Sequence, residues 1–215
     1  MKQITILFLL FVQVTFAQNT LFNQVEAKNI GPTIMSGRVV DLAVNPKNPT
    51  EFYVVYASGG LWYTNNNGTS FEPVMDSAET INCGSVTVDW NSGTIWVGTG
   101  EVNASRSSYA GVGVLKSSDK GETWENLGLK DSHHISRIWV NPSNLNEIVV
   151  AAVGHLYSTN KERGIYKSTD GGKSWNQSLF VAEDTGIIDL VVSKNNPKIM
   201  FAASWQKDRK AWHFD

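Results

Sequence analysis

From Val39 onward the chain alternates short apolar runs with polar breaks, and no stretch keeps a helical period. Four stretches share one plan: VVDLAVNPKNPTEFYVVYAS (39–58), GSVTVDWNSGTIWVGTG (84–100), ISRIWVNPSNLNEIVVAAVG (135–154) and IIDLVVSKNNPKIMFAAS (187–204). Each is a β-branched run, a polar turn and a second apolar run. Asn-Pro or Asn-Ser-Gly marks the turn, which is hairpin chemistry. Three further stretches align without a gap: GLWYTNNNGTSF (60–71), GVLKSSDKGETW (113–124) and GIYKSTDGGKSW (164–175). Their apolar starts give a third strand. The residues after the closing aromatic, such as ENLGL and NQSLF, give a fourth.

The repeat of about 50 residues signals an array or propeller. One four-stranded antiparallel sheet cannot bury both of its faces, and radial stacking of such sheets solves that. The predicted fold is therefore all-β, a β-propeller of four-stranded blades at about 36–80, 81–131 and 132–184. A partial fourth blade spans 185–215. Propellers usually close with about 4–8 blades, so further blades are expected after Asp215. The segment 18–35 is a possible ring-closing strand.

The first residues, MKQITILFLLFVQVTFAQ, change the picture of location. Lys2 supplies a positive start, Ile4 to Phe16 an apolar run, and Thr15 and Ala17 the small residues before a cut. This predicts a signal peptide over 1–17, cleaved near Ala17, and a secreted or cell-envelope protein. The run is shorter than the roughly 20 residues of a spanning helix, and no second long apolar run follows. A single cysteine, Cys83, cannot form an internal disulfide, so it is expected to be a small buried hydrophobe. Net charge of −2 without a basic stripe argues against nucleic acid as a partner. The run Lys207–Lys210 is expected to be a solvated loop.

The three aligned hairpins carry the most conspicuous chemistry. Ser117, Asp119, Gly121 and Trp124 recur as Ser168, Asp170, Gly172 and Trp175, and more loosely as Thr64, Asn66, Gly68 and Phe71. Asp or Asn can accept backbone N–H groups of its own turn, and glycine permits the chain reversal. A phosphate-binding loop is excluded by spacing. Gly172-Lys173-Ser174 fits the end of that motif, but Lys167 stands where its first glycine belongs. One active site in every blade is also implausible, so these residues are expected to be structural.

The Ser/Thr-x-Asp-x-Gly-x-x-Trp pattern resembles the Asp-box, or BNR repeat, of sialidases, two-propeller xyloglucanases and the sortilin-type receptor propeller. The chain is most similar to exported bacterial proteins of the sortilin-like and glycosidase-like group, over about Asn29 to Asp215. That resemblance implies the propeller fold and leaves activity to the site. Two departures stand out. NIGPTIMSGRV offers Arg38 but no Arg-x-Pro element of the sialidase kind. Ala57, in VYASGG, stands where xyloglucanases of this fold carry a catalytic Asp.

Strand alternation gives the loops parity. The Asp-box turns fall on one rim and the long insertions on the other, and long loops on a rigid scaffold are where function concentrates. The candidate ligand-binding residues on the insert rim are Asn103, Arg106, Tyr109, His155, Tyr157, Arg163, Trp205 and Arg209, with Trp212 and His213 nearby. Aromatics mixed with Arg and Asn suit a peptide or glycan ligand. The leading function is a recognition or scaffold propeller, sortilin-like, needing no cofactor or metal. The alternative is a glycoside hydrolase, sialidase-like or xyloglucanase-like, with Glu101 and Glu162 as its carboxylate pair. His133 and His134 are neighbours in sequence, a poor geometry for one metal ion.

Overall fold

The computed structural model describes residues 37–103, 108–207, 209, 210 and 212. The expected signal peptide over 1–17, the segment 18–35, Arg106 and His213 lie outside the described residues. The protein is a partial β-propeller of antiparallel sheets, as the repeat predicts. Blade 1 contains β1 (Val39–Val44), β2 (Phe52–Tyr56), β3 (Gly60–Thr64) and β4 (Glu72–Pro73). Blade 2 contains β5 (Cys83–Asp89), β6 (Thr94–Thr99), β7 (Val114–Ser117) and β8 (Glu125–Asn126). Blade 3 contains β9 (Ile135–Val140), β10 (Ile148–Ala152), β11 (Gly164–Ser168) and β12 (Asn176–Leu179). The hairpin β13 (Thr185–Val192) and β14 (Met200–Gln206) begins a fourth.

Strand order within each sheet follows chain order, and the first strands β1, β5, β9 and β13 pack side by side around the axis. Arg137 on β9 makes the convergence concrete. Its Nε donates to Asp189 Oδ1 on β13 at 2.8 Å, and its Nη1 lies 3.9 Å from Asp41 Oδ2 on β1. Each inner strand also carries a β-bulge at the same place in the repeat, at Val40, Gly84, Ser136 and Ile188. A bulge bends and twists its strand, and here it falls beside the polar positions Asp41, Ser85, Arg137 and Asp189.

The core lies between sheets, because alternate residues of each middle strand point to opposite neighbours. Tyr53, Val55 and Leu61 of blade 1 meet Val86, Ile95 and Val97 of blade 2. Trp96 and Val114 meet Ile138, Ile148 and Val150 of blade 3. Val149, Ala151 and Ile165 meet Ile187 and Leu190. Cys83 is fully buried, as expected, and burial pushes its thiol up to about 12.

The serine-to-tryptophan turns add bonds between blades. Ser117 Oγ donates to Asp119 Oδ1 at 2.7 Å and accepts the Gly121 N–H at 2.8 Å. Asp119 accepts the Thr123 N–H at 2.9 Å. Ser168, Asp170, Gly172 and Ser174 repeat the arrangement. The indole then reaches backward: Trp124 Nε1 donates to Val74 O at 3.1 Å, and Trp175 Nε1 to Leu127 O at 2.7 Å. Val74 and Leu127 follow the outer strand of the preceding blade. A Cβ on Gly121 or Gly172 would press within 2.5 Å of Val74 O or 2.6 Å of Leu127 Cδ1, so the glycine is required by close approach as well as by its positive φ. In blade 1, Thr64 and Asn66 make the same turn, and Phe71 packs on Phe52 of its own sheet.

Candidate functional site

Loop parity places the two rims as expected. The turn residues Asn67 and Gly171 donate to Thr50 O and Asn146 O in the β1–β2 and β9–β10 loops. The long insertions bond instead to the blade connections: Gly100 N–H to Asn82 O, Gly111 N–H to His133 O, and Asn160 N–H to Glu183 O. Beneath the inserts lies a small separate core of Val102, Val153 and Leu156, against which Ile188 and Trp205 pack. Blades 2, 3 and 4 therefore share the floor of the insert rim.

Glu101 is a buried carboxylate, 1% exposed. Arg38, just before β1, donates to both its oxygens, through Nε at 2.6 Å and through Nη2; Ser108 Oγ donates at 3.0 Å. The insert of blade 2 is thereby fastened to the start of blade 1. Glu162 is exposed, and its Oε2 accepts from Asn160 Nδ2 at 3.2 Å. The two carboxylates thus share a rim but sit in opposite environments.

Arg163 is 1% exposed and organises its own insert: Nη1 donates to Val153 O at 2.9 Å, and Nη2 to His155 O and Ser158 O, each at 2.7 Å. His155 stacks on His133, ring centres 3.6 Å apart. His134 is buried and held neutral. Burial is the main cause, with the Lys207 charge assisting, and together they bring its pKa down to about 3. Tyr109, Tyr157, Trp212 and Asn103 are exposed, and Trp205 is half-buried.

The run Lys207–Lys210 corrects the sequence reading. It is not wholly solvated: Lys207 is 4% exposed and Arg209 9%. The Lys207 N–H donates to Asp184 O and the Arg209 N–H to Leu156 O, which folds the run against the insert of blade 3. Lys207 Nζ lies 4.5 Å from the Trp205 ring centre and has no hydrogen-bond partner among the described residues. Burial, then the charges of Arg163 and Arg209, lower its pKa to about 7, against the pull of Glu101.

A second feature, on the turn rim, escaped the sequence reading. Tyr53 and Tyr63 of blade 1 and Trp90 of blade 2 line a groove of ≈ 530 Å³ with Glu51, Glu72 and Asp119. Tyr53 lies 4.9 Å from Tyr63 and 5.5 Å from Trp90, centre to centre. Glu51 is occupied by Tyr63 Oη and Asn45 Nδ2, both at 2.6 Å, and Asp119 by its own turn. Among the described residues no group of three or more His, Cys, Asp and Glu could hold a metal ion, and no helix is long and apolar enough to cross a membrane.

No family model matches the chain, and no curated protein matches it significantly. Solved structures do. An ancestral GH74 enzyme aligns over 77% of this chain and 22% of its own, with 20% identity and a TM-score of 0.57. The GH74 xyloglucanase from Xanthomonas campestris aligns over 77% and 26%, with 16% identity and a TM-score of 0.55. YCF48 from Cyanidioschyzon merolae aligns over 70% and 40%, with 18% identity and a TM-score of 0.44. The chain spans about a quarter of the length of the two GH74 proteins. At these identities the first two establish the β-propeller fold.

Proposed function

We propose that the chain belongs to an exported Asp-box β-propeller, sortilin-like or glycosidase-like, whose insert rim recognises a glycan. The observation that carries this is the pairing of exposed aromatics, Tyr109, Tyr157 and Trp212, with inserts anchored by buried Arg163 and by the Arg38–Glu101 pair. Flat apolar faces on a fixed base are what a sugar ring stacks against, and anchored polar groups orient it. The xyloglucanase likeness supports a glycan over a peptide. In this reading further blades beyond Asp215 complete the ring.

A hydrolase needs one carboxyl group to give a proton and a second to attack or to activate water. Glu101, with both oxygens taken by Arg38 and Ser108, is poorly suited to either task. Binding is therefore the reading we adopt.

The test is a glycan panel titrated with the full chain. Tyr157→Ala or Trp212→Ala should weaken the best ligand about tenfold, the loss of one stacking partner, with unchanged melting. Turnover of that glycan, abolished by Glu162→Gln, would replace recognition by hydrolysis; tight binding of peptides alone would replace the ligand class. Export is tested separately: mass spectrometry of the mature protein should find its N-terminus at Gln18.

A further inference from the structure

The groove on the turn rim is bounded by two complete blades, and strand register builds its wall. In blade 1, Tyr53 on β2 pairs with Tyr63 on β3, and Tyr63 with Glu72 on β4. Cross-strand partners project from the same face of a sheet, so these three side chains form one row. Trp90, from the β5–β6 loop of blade 2, extends the aromatic wall beside Tyr53. Glu51 and, from the turn of blade 2, Glu122 also line the groove. Its volume of ≈ 530 Å³ falls within the range of about 300–1,000 Å³ common for ligand sites.

The other blades are internal controls. At the register of Tyr63, blade 2 has Lys116 and blade 3 has Lys167. Lys167 Nζ pairs with Glu147 at 2.6 Å, and neutral Asn176 stands opposite Lys167. The counterpart of Glu147 in blade 1 is Glu51, which accepts only from neutral groups, Tyr63 Oη and Asn45 Nδ2. The counterpart of Asn176 is the exposed Glu72, whose carboxylate has no hydrogen bond or ion pair among the described residues. A row that is neutral in blade 3 is therefore acidic in blade 1. Glu51, Glu72, Asp119 and Glu122 line the groove against one cation, Lys120. Lys120 lays its stem against Gly93 and forms no ion pair among the described residues. At the edge, Lys47 Nζ donates to Asn91 Oδ1 at 2.9 Å.

We propose that this groove is a second binding site, on the rim opposite the inserts, and that it takes an arginine side chain presented by a peptide segment of a partner protein. A guanidinium is planar and always charged, stacks on aromatic faces and donates to carboxylates. The ring geometry favours it over a quaternary ammonium. Tyr63, Tyr53 and Trp90 follow one another at 4.9 and 5.5 Å with tilts of 42° and 39°, a wall and not the closed cage that holds such a head group. A lysine ammonium is more strongly hydrated and lacks a face to stack. A neutral sugar would lie on the same wall but leave the carboxylates uncompensated.

The experiment titrates a short capped peptide carrying one arginine into the full chain at matched ionic strength, following heat and the Trp90 indole N–H resonance. The same peptide with citrulline, which keeps the shape and removes the charge, is run beside it, as are tetramethylammonium and glucose oligomers. The arginine peptide should shift the Trp90 resonance and bind about tenfold more tightly than its citrulline twin, the worth of a charge-assisted contact. Tyr63→Lys rebuilds the arrangement of blade 3, with the new ammonium on Glu51. It should melt no lower than the native chain and bind the arginine peptide about tenfold more weakly. If that variant fails to fold, Glu72→Gln combined with Glu122→Gln, two exposed positions, should weaken binding in its place. Equal binding of the arginine and citrulline peptides, or binding of neither, would overturn the proposal. So would undiminished affinity in folded Tyr63→Lys or in the double variant. Tighter binding of tetramethylammonium or of glucose oligomers at Trp90 would put a different occupant in the groove and end the arginine assignment.

Discussion

At the scale of the residue, the turn aspartates and Lys207 both make stability rise with pH, in different windows and for opposite reasons. Hydrogen bonds from Thr123 and Ser117 hold Asp119 down to about 2, and Ser174 and Ser168 hold Asp170 lower still. A carboxyl group whose folded pKa is depressed stabilises the fold above its ordinary value of about 4 and loses that effect as pH falls through the folded value. The Thr123 and Ser174 amides should therefore keep hydrogen-exchange protection down to about pH 4; Thr123 should lose it towards pH 2, and Ser174 only at lower pH. Asp119→Asn should keep the turn, because Asn66 accepts the Ser70 N–H in the same way; loss of protection at neutral pH in that variant would refute the account. Lys207 gives a slope of the same sign at higher pH, because there the fold disfavours the charged form and not the neutral one. Its folded value of about 7 lies below the ordinary 10.5, so the unfolded chain binds the extra proton between them and stability rises with pH across that window. Burial, then the charges of Arg163 and Arg209, set that value against the pull of Glu101, and the rise should vanish in Lys207→Met when urea midpoints are compared from pH 7 to about 8, below the range in which an unfolded cysteine thiol ionises. The turn chemistry was legible because Ser, Asp and Gly act on their own neighbours in sequence. The Arg38–Glu101 pair was not, since its partners are brought together only by the stacking of two blades.

At the scale of the element, the blade is a legible unit and its fastenings are less so. Alternation and turn residues mark every strand pair, but nothing local announces the bulges at Val40, Gly84, Ser136 and Ile188. At one of them neighbouring inner strands approach closely: a Cβ on Gly84 would sit 2.4 Å from Ile135 O. Gly84→Ala should cost about 1–3 kcal/mol, as overpacking does; a neutral result in urea denaturation would mean the strands can spread. The indoles, expected to be structural, fasten each blade to the one before. Trp175→Phe should remove the bond to Leu127 O at about 1 kcal/mol. Trp175→Ala should cost about 3 kcal/mol. A Phe variant as damaged as Ala would assign the effect to the bond and not to packing.

At the scale of the whole molecule, three blade interfaces are buried and two end faces are not, among the described residues. Leu42 and Val44 on β1, and Val191 and Phe201 on the last hairpin, are exposed by 47–69%. Their counterparts inside the array, such as Ile138 and Val149, are buried against the next sheet. Exposed apolar sheet faces of this kind invite partners. A chain of residues 18–215 should self-associate with rising concentration, and Leu42→Lys with Phe201→Lys should make it monomeric by sedimentation; a native chain that stays monomeric would contradict this. The backward reach of the tryptophans also gives assembly a direction in time. Synthesis proceeds from the N-terminus, so the first sheet is locked only once Trp124 has been made, and the second only after Trp175. Each newly formed blade is left provisional until its successor arrives, and a ribosome paused between them would hold a structure with one latch open.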